Sequence, residues 1–296
     1  MKKYISLVLF VIVLIIILLL LVSSCSKKDS GIELVFKDKV LETIIKKELG
    51  KDKIYATDLS EISGVLIASD KLIGFSGGGY KEKSVILFGF DEFEYNNVRY
   101  KEEGTITTLE DLKYFPKLTS LRVYQQPNID FDTIPNKGNI YNLGLSQNKL
   151  TDISFLEGFD KLMYLSLSSN KIVNLKGIEY VKGTKRLNLN SNDVSDISLL
   201  ETLNNLENLD LTYNAVLDVN PIKNLTKLNY LSLYENGISD ISPLQYIKSL
   251  KELYLNNNNI TDISALKDFT SFDALNISGN PITNYEIIDH INNVVK

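Results

Sequence analysis

Apolar and polar positions recur with a period of 22 residues between Leu121 and Asn280. From Leu143 onward, each period contains two apolar residues spaced two apart, then an asparagine, then another apolar residue two positions later. A fixed period of this length is typical of a solenoid, whose units bury their apolar faces only against their neighbours. The recurring asparagines are Asn148, Asn170, Asn192, Asn214, Asn236, Asn258 and Asn280.

The parts of the repeat predict its local structure. A pair such as Leu209/Leu211 predicts a short strand with both leucines pointing inward, because alternate residues of a strand share a face. An asparagine where the chain leaves the strand can pair backbone groups that a buried turn would leave unpaired. The later apolar positions step by three, as at Ile241, Leu244 and Ile247, which favours a 3₁₀ or extended path. We therefore predict an α/β solenoid with short parallel strands on its concave face and a 3₁₀/extended convex side.

The residues D-I-S-P-L at 240–244, and D-I-S at 196–198 and 262–264, resemble the 22-residue repeats of the bacterial internalin family. The resemblance covers roughly residues 105–283. It implies a leucine-rich repeat fold and a surface-displayed module that binds another macromolecule without chemistry of its own. The sequence departs from the family in lacking an immunoglobulin-like domain after the repeats and a C-terminal wall-sorting motif. The resemblance therefore implies the binding module, and the role of a host-cell invasin is not carried over.

The first 24 residues have the pattern of an export signal. Lys2 and Lys3 precede an apolar run over residues 4–22, and small residues then lead to Cys25. The segment 22–25 resembles a bacterial lipoprotein signal, in which the cysteine is lipidated and becomes the new N-terminus. The alternative is an uncleaved signal anchor, since the run approaches the length that spans a bilayer. Both predict an extracytoplasmic domain attached to the cell membrane.

Four further segments follow residues 1–24 in the sequence. Residues 25–31 form the lipidated cysteine and a polar tether, residues 32–104 an N-terminal cap with an inserted hairpin region, residues 105–283 the repeats, and residues 284–296 a C-terminal cap helix. Helical spacing of apolar residues predicts a cap helix over 39–48 that ends at Gly50. A solenoid needs such a cap because its first repeat would otherwise expose leucines.

The cap also contains the start of the repeat pattern. Leu66, Ala68 and Ile73 fit a degenerate first repeat with Lys71 in the asparagine position. The pattern resumes at Ile106, which indicates an insertion over about residues 74–105. Within it, 85–88 and 98–100 are predicted strands and 76–79 a turn.

Charge and composition restrict the function. Residues 1–24 hold two of the 32 basic residues and no acidic one, so the remainder carries 30 basic against 37 acidic residues. A net-negative solenoid is a poor ligand for nucleic acid or anionic lipid, so membrane attachment must come from the anchor. His290 is the only histidine and Cys25 the only cysteine. We therefore expect neither a His-based catalytic triad nor a Cys/His metal site, and no cofactor.

A column of aspartates recurs once per turn at the start of the convex path. Two roles are open for it: calcium binding, or acceptance of local backbone hydrogen bonds, which we favour. The column comprises Asp152, Asp196, Asp218, Asp240 and Asp262.

The concave face carries the predicted partner-binding residues. They flank the inward leucines, and tyrosine and arginine are enriched at protein-interaction hot spots. The set comprises Tyr124, Tyr164, Arg186, Tyr213, Tyr230, Tyr234 and Tyr254. Since neighbouring strands lie about 4.8 Å apart, the last four of these tyrosines should cluster on the C-terminal half.

The sequence therefore predicts a module that binds an envelope or surface protein, with a host protein or a glycan as alternatives. Two other classes of function stay open. One is an enzyme whose site lies in the insertion 74–105, where Asp91, Glu92, Glu94, Glu102 and Glu103 could supply acid–base groups. The other is a purely structural envelope component.

Overall fold

The computed structural model describes residues 31–89 and 91–296. The predicted signal sequence and Cys25 lie outside the described residues. The α-helices are α1 (Lys39–Leu49) and α2 (Ala56–Leu59). The strands before the regular repeats are β1 (Ile62–Ala68), β2 (Leu72–Gly77), β3 (Ile86–Phe88), β4 (Glu92–Tyr95) and β5 (Val98–Tyr100). Within residues 31–89 and 91–296, no helix is long and apolar enough to span a membrane.

The regular repeats each supply one short strand. These strands are β6 (Ser120–Tyr124), β7 (Asn142–Gly144), β8 (Tyr164–Ser166), β9 (Arg186–Asn188), β10 (Asn208–Asp210), β11 (Tyr230–Ser232), β12 (Glu252–Tyr254) and β13 (Ala274–Asn276), and β14 (Val294–Val295) follows. Together with β1 and β2 they form an eleven-stranded sheet in the order β14 to β6, then β1, then β2. Each leucine pairs with the leucine 22 residues away, as Leu209 does with Leu231. The predicted parallel concave sheet is confirmed.

The convex side consists of short 3₁₀ turns joined by extended chain, which confirms the prediction for this side. In the regular repeats, aspartate side chains accept the backbone N–H two residues later, as Asp240 does from Ser242 at 2.8 Å. The same bond is present at Asp152, Asp196, Asp218 and Asp262. The 3₁₀ turns are Glu110–Tyr114, Phe131–Thr133, Lys137–Asn139, Ser154–Leu156, Ile178–Tyr180, Ser198–Thr202, Asn220–Ile222, Ser242–Tyr246, Ser264–Leu266 and Tyr285–Ile288.

The asparagine column forms a hydrogen-bonded ladder beside the buried leucines. Asn192 donates from Nδ2 to Leu167 O at 3.0 Å and Leu189 O at 2.9 Å, and its Oδ1 accepts the Ile172 N–H at 3.0 Å. Each amide thus joins its own turn to the preceding one and pairs backbone groups that the core would otherwise leave unsatisfied. Equivalent bonds are made by Asn170, Asn214, Asn236, Asn258 and Asn280, and Asn148 donates to Val123 O and accepts from Gln126 N–H.

Helix α1 closes the N-terminal end of the core, as predicted. Asp38 caps it by accepting the N–H groups of Val40 and Leu41, and Gly50 ends it at φ 65°. The buried Asp111 of the first convex turn accepts the N–H groups of Lys37 and Asp38 at 2.8–2.9 Å. The cap is therefore tied to the repeats by hydrogen bonds as well as by apolar packing.

The register of the first repeat differs from the prediction by one residue. Strand β1 pairs Val65 with Leu121 and Ile67 with Val123, so these two residues point into the core. Leu66 and Ala68, which the sequence pattern placed inward, lie on the opposite face, because a shift of one residue exchanges the faces of a strand. The apolar run 65–68 gives no alternation by which to choose between the two registers.

The ladder position in this first repeat shifts in the same way. Ala68 pairs with Tyr124, so Asp70 rather than Lys71 is equivalent to Gln126, which stands 22 residues before Asn148. Asp70 accepts hydrogen bonds from Thr105 N at 2.9 Å and from Gln126 Nε2 at 3.2 Å. Lys71 instead makes an exposed ion pair with Glu102. A carboxylate can accept bonds at the ladder's end, whereas an ammonium accepts none.

The insertion forms a separate three-stranded antiparallel sheet, β3-β4-β5. The strands predicted at 85–88 and 98–100 correspond to β3 and β5, and β4 between them was not predicted. Phe93 of β4 is fully buried against Leu66 and Ala68, and Tyr124 packs at the edge of the same cluster. The insertion therefore lies on the concave side of the sheet at its N-terminal end.

Residues 284–296 do not form the predicted helix. The chain makes a 3₁₀ turn over Tyr285–Ile288 and then adds β14 to the sheet edge, where Val295 O accepts the Ile277 N–H at 2.9 Å. Asn293 has a φ of 61°, which a helix does not accommodate. The two β-branched valines that follow favour a strand.

Candidate partner-binding face

The insertion covers the N-terminal half of the concave sheet. Arg122 on β6 pairs with Glu82, and its Nη2 donates to Lys83 O at 3.2 Å. Farther along, Gln147 Nε2 donates to Gly89 O at 2.9 Å and to Glu92 O at 3.1 Å. These bonds hold the insertion against the first regular repeats, so the open part of the concave sheet begins near β8.

Tyr124, predicted to bind a partner, lies within this covered half. Its side chain is half-buried against the insertion, and burial raises the pKa of its phenol. Gly144 on the next strand leaves room for it, since a Cβ there would stand 3.4 Å from the Tyr124 hydroxyl. Tyr124 therefore belongs to the contact between insertion and repeats.

Tyr164 and Arg186 open the uncovered half. Their side chains lie on neighbouring strands, and the Arg186 guanidinium carbon stands 5.4 Å from the centroid of the Tyr164 ring. Tyr164 is 38% exposed. The pair is a solvent-accessible cation–π contact. An exposed contact of this kind contributes about 0.5–1 kcal/mol of stabilisation.

The other four predicted tyrosines form two pairs on the C-terminal half. Tyr213 and Tyr234 have ring centroids 4.9 Å apart and hydroxyl oxygens 3.0 Å apart. The hydrogen bond with Tyr213, followed by desolvation, raises the pKa of Tyr234 to about 12. Tyr230 and Tyr254 on adjacent strands have centroids 5.7 Å apart with planes inclined at 46°. The structure thus brings the four together as neighbouring pairs.

Tyr213 lies in the turn after a strand, whereas Tyr230 and Tyr254 lie within strands. It lies three residues after the end of β10, at a repeat position where every residue has a positive φ. Its own φ is 53°. A left-handed residue turns the chain sharply away from the sheet. Tyr213 is 49% exposed at the rim of the concave face. The positive-φ column comprises Ser69, Gln125, Gln147, Ser169, Ser191, Tyr213, Glu235, Asn257 and Gly279.

A shallow concavity of about 370 Å³ lies over strands β7 to β11. Tyr164, Arg186 and Tyr230 line it, together with polar residues that lie outside the predicted partner-binding set. Those residues include Asn188, Asn208 and Asp210. They occupy the same outward columns as the tyrosines, so the column position was the signal that could have found them. The concavity offers aromatic faces, one guanidinium, amides and a carboxylate to a ligand.

The fold and its repeats match known proteins. Residues 226–268 and 248–293 match the family of Leucine Rich repeats (2 copies). The chain has the leucine-rich repeat fold. Its fold is similar to that of internalin C2 from Listeria monocytogenes, with a TM-score of 0.55 and 23% identity over 88% of this chain and 92% of that one. No curated protein sequence matches the chain significantly.

Two other solved structures extend the comparison of folds. The internalin inlF from Listeria monocytogenes has a TM-score of 0.52 and 21% identity, over 88% of this chain and 94% of that one. The plant peptide hormone receptor RGFR1, solved in complex with RGF2, has a TM-score of 0.51 and 19% identity, over 61% of this chain and 31% of that one. The fold of this chain is therefore internalin-like.

The acidic residues of the insertion, which could have indicated an enzyme, are engaged in ion pairs. Lys101 contacts Glu92 at 3.0 Å and Asp91 at 3.5 Å, and Arg99 contacts Glu94 at 3.5 Å. Glu102 pairs with Lys71, and Glu103 with Lys149. Each of these acids therefore faces a cation of the chain. No cluster of three or more metal-binding side chains occurs among the residues that the structure describes, the aspartate column included.

Proposed function

We propose that this protein is an extracytoplasmic lipoprotein, anchored to the cell membrane, that binds another protein through the open half of its concave face. The observation that carries the proposal is the partly exposed aromatic surface from β8 to β12. Tyr164, Tyr213, Tyr230 and Tyr254 supply large side chains that bury apolar area while keeping a polar group. Such residues dominate the binding energy of protein interfaces.

The covered N-terminal half supports one particular location for the partner. The insertion occupies the concave face over β1 and β6, so a partner would meet the later repeats. A solenoid of similar fold, the plant receptor RGFR1, was solved in complex with RGF2. A peptide or an extended loop of a protein suits a concave sheet of parallel strands.

The sequence before the described part supports the anchor. Cys25 ends a lipoprotein-like signal, and only residues 26–31 separate it from the cap. Six residues reach at most about 20 Å when extended. This short tether favours an envelope protein near the membrane as the partner.

The test is capture from solubilised envelope, followed by titration of the captured partner. Tyr230→Ala/Tyr254→Ala should weaken binding by about 2 kcal/mol or more for each true hot spot and leave the fold intact. The matched control is Lys223→Ala/Lys248→Ala on the convex side, which should change little. Loss of binding in the convex variant, with retention in the concave one, would contradict the proposed surface. If neither variant weakens binding, the insertion 74–105 becomes the surface to test.

A further inference from the structure

The open half of the concave face is charged as well as aromatic. From β10 to β13 its outward columns contain the carboxylates of Asp210, Glu235 and Glu252 and no lysine or arginine. None of the three makes an ion pair within the described part of the chain. Elsewhere on the surface acids are commonly paired, as Glu207 is with Lys185 at 2.8 Å. This part of the face is therefore locally negative.

Hydrogen bonds hold these carboxylates in place without neutralising them. Asp210 accepts the Thr212 N–H at 2.9 Å, and Glu252 accepts the Tyr254 hydroxyl at 3.3 Å. Each of these bonds uses one of the about four lone-pair directions of its carboxylate, so each carboxylate can still accept from a partner. The acids are positioned before any ligand arrives, which lowers the entropy cost of binding.

Two aromatic rings stand between these acids. The Tyr230 and Tyr254 rings are inclined to each other at 46°. The pKa of Tyr230 is raised, first by burial and then by the Asp210 and Tyr254 groups, which is consistent with a carboxylate close to this ring. A ring face attracts a cation, and the attraction grows when water is displaced.

The protein's own nearby cations are directed elsewhere. The Arg186 guanidinium lies over the Tyr164 ring, on the strand before Asp210. Lys251 adjoins Glu252 in sequence, but no ion pair between them is present in residues 31–89 and 91–296. A cation at the Tyr230–Tyr254 pair must therefore come from the ligand.

We infer that the partner presents a basic segment to this face, with an arginine or lysine side chain received by Tyr230, Tyr254, Asp210 and Glu252. This inference rests on the proposed function, because it specifies the partner of the same surface. A guanidinium fits best, since its plane stacks on aromatic rings while its fork of donors pairs with carboxylates. The partner segment is accordingly basic and extended.

The test uses a labelled peptide, Gly-Ser-Arg-Gly-Ser-Arg-Gly-Ser, and the same peptide with citrulline in place of both arginines. Citrulline keeps the shape and removes the charge. Fluorescence anisotropy with the full chain, purified in mild detergent, should give about tenfold tighter binding of the arginine peptide. Asp210→Asn/Glu252→Gln should abolish this preference. The Asp210→Asn change suits the fold, because Asn188 and Asn276 make the same turn bond in the same column.

The matched control is Glu157→Gln/Glu201→Gln, which removes two exposed carboxylates from the convex side and should keep the preference. Equal binding of both peptides to the wild-type chain would overturn the inference, and so would an equal loss in the convex control, which would reveal attraction by net charge alone. If envelope capture depends on Tyr230 and Tyr254 but not on Asp210 and Glu252, the proposed function stands and the basic partner does not. If capture fails while the peptide preference follows Asp210 and Glu252, the inference stands and the proposed function fails.

Discussion

Replacing Asn192 with leucine tests the ladder that holds adjacent repeats together. Leucine has nearly the shape of asparagine but neither donates nor accepts a hydrogen bond. The Ile172 N–H loses its bond to Asn192 Oδ1, for which no other acceptor is present in the described part. Leu167 O and Leu189 O lose one bond each, but keep those from Asn170 at 2.8 Å and Asn214 at 2.9 Å.

The expected cost follows from these three changes. An orphaned buried N–H costs about 1–3 kcal/mol, and each of the two lost carbonyl bonds contributes about 0.5–1.5 kcal/mol. Asn192→Leu should therefore lower the free energy of unfolding by about 2–6 kcal/mol. The control Asn220→Leu removes an exposed amide on the convex path, whose Oδ1 accepts only from Lys223 at 3.1 Å. A surface change of that kind should stay within about 0.5 kcal/mol.

Urea denaturation followed by circular dichroism measures both variants. A lower midpoint with an unchanged slope indicates lost stability, whereas a lower slope indicates that the repeats no longer unfold together. The reasoning is refuted if Asn192→Leu and Asn220→Leu shift the midpoint by the same amount.

Three further predictions address other parts of the chain. Cys25→Ser should abolish metabolic labelling with a fatty acid, because Cys25 is the only cysteine; undiminished labelling would exclude the lipoprotein. Gly177→Ala should destabilise the fold by about 1–3 kcal/mol, since Gly177 has a φ of 109° and a Cβ would stand 2.5 Å from Ile153 O; an unchanged melting temperature would contradict this. Because the pKa of Tyr234 is raised from 10.0 to about 12, its contribution to stability is present below pH 10 and lost as pH rises through about 12. Tyr213→Phe should bring the tyrosinate absorbance of Tyr234 to lower pH, and an unchanged ultraviolet titration would show that the hydrogen bond is not the cause.

The sequence by itself determined the repeating unit. Leu209, Asn214 and Asp218 recur at fixed offsets, and neighbouring repeats place equivalent strand residues side by side, as Leu209 pairs with Leu231. In a solenoid, therefore, the neighbours of a residue recur in the sequence with the same period as the residue itself. For this reason the strand, the ladder and the convex turn could all be predicted from single repeats, as could the outward columns that carry the tyrosines.

Only the tertiary structure decided which part of the concave face is open. Gln125 and Tyr213 occupy equivalent positions four repeats apart, yet Gln125 is 2% exposed and Tyr213 49%. The difference comes from the insertion, whose Phe93 packs onto Leu66 and so buries both faces of β1. A strand buried on both faces shows no alternation, which is why the sequence left its register ambiguous. The contact that covers Tyr124 joins a repeat to the insertion, which lies outside the 22-residue period, so the repeat pattern alone could not predict it.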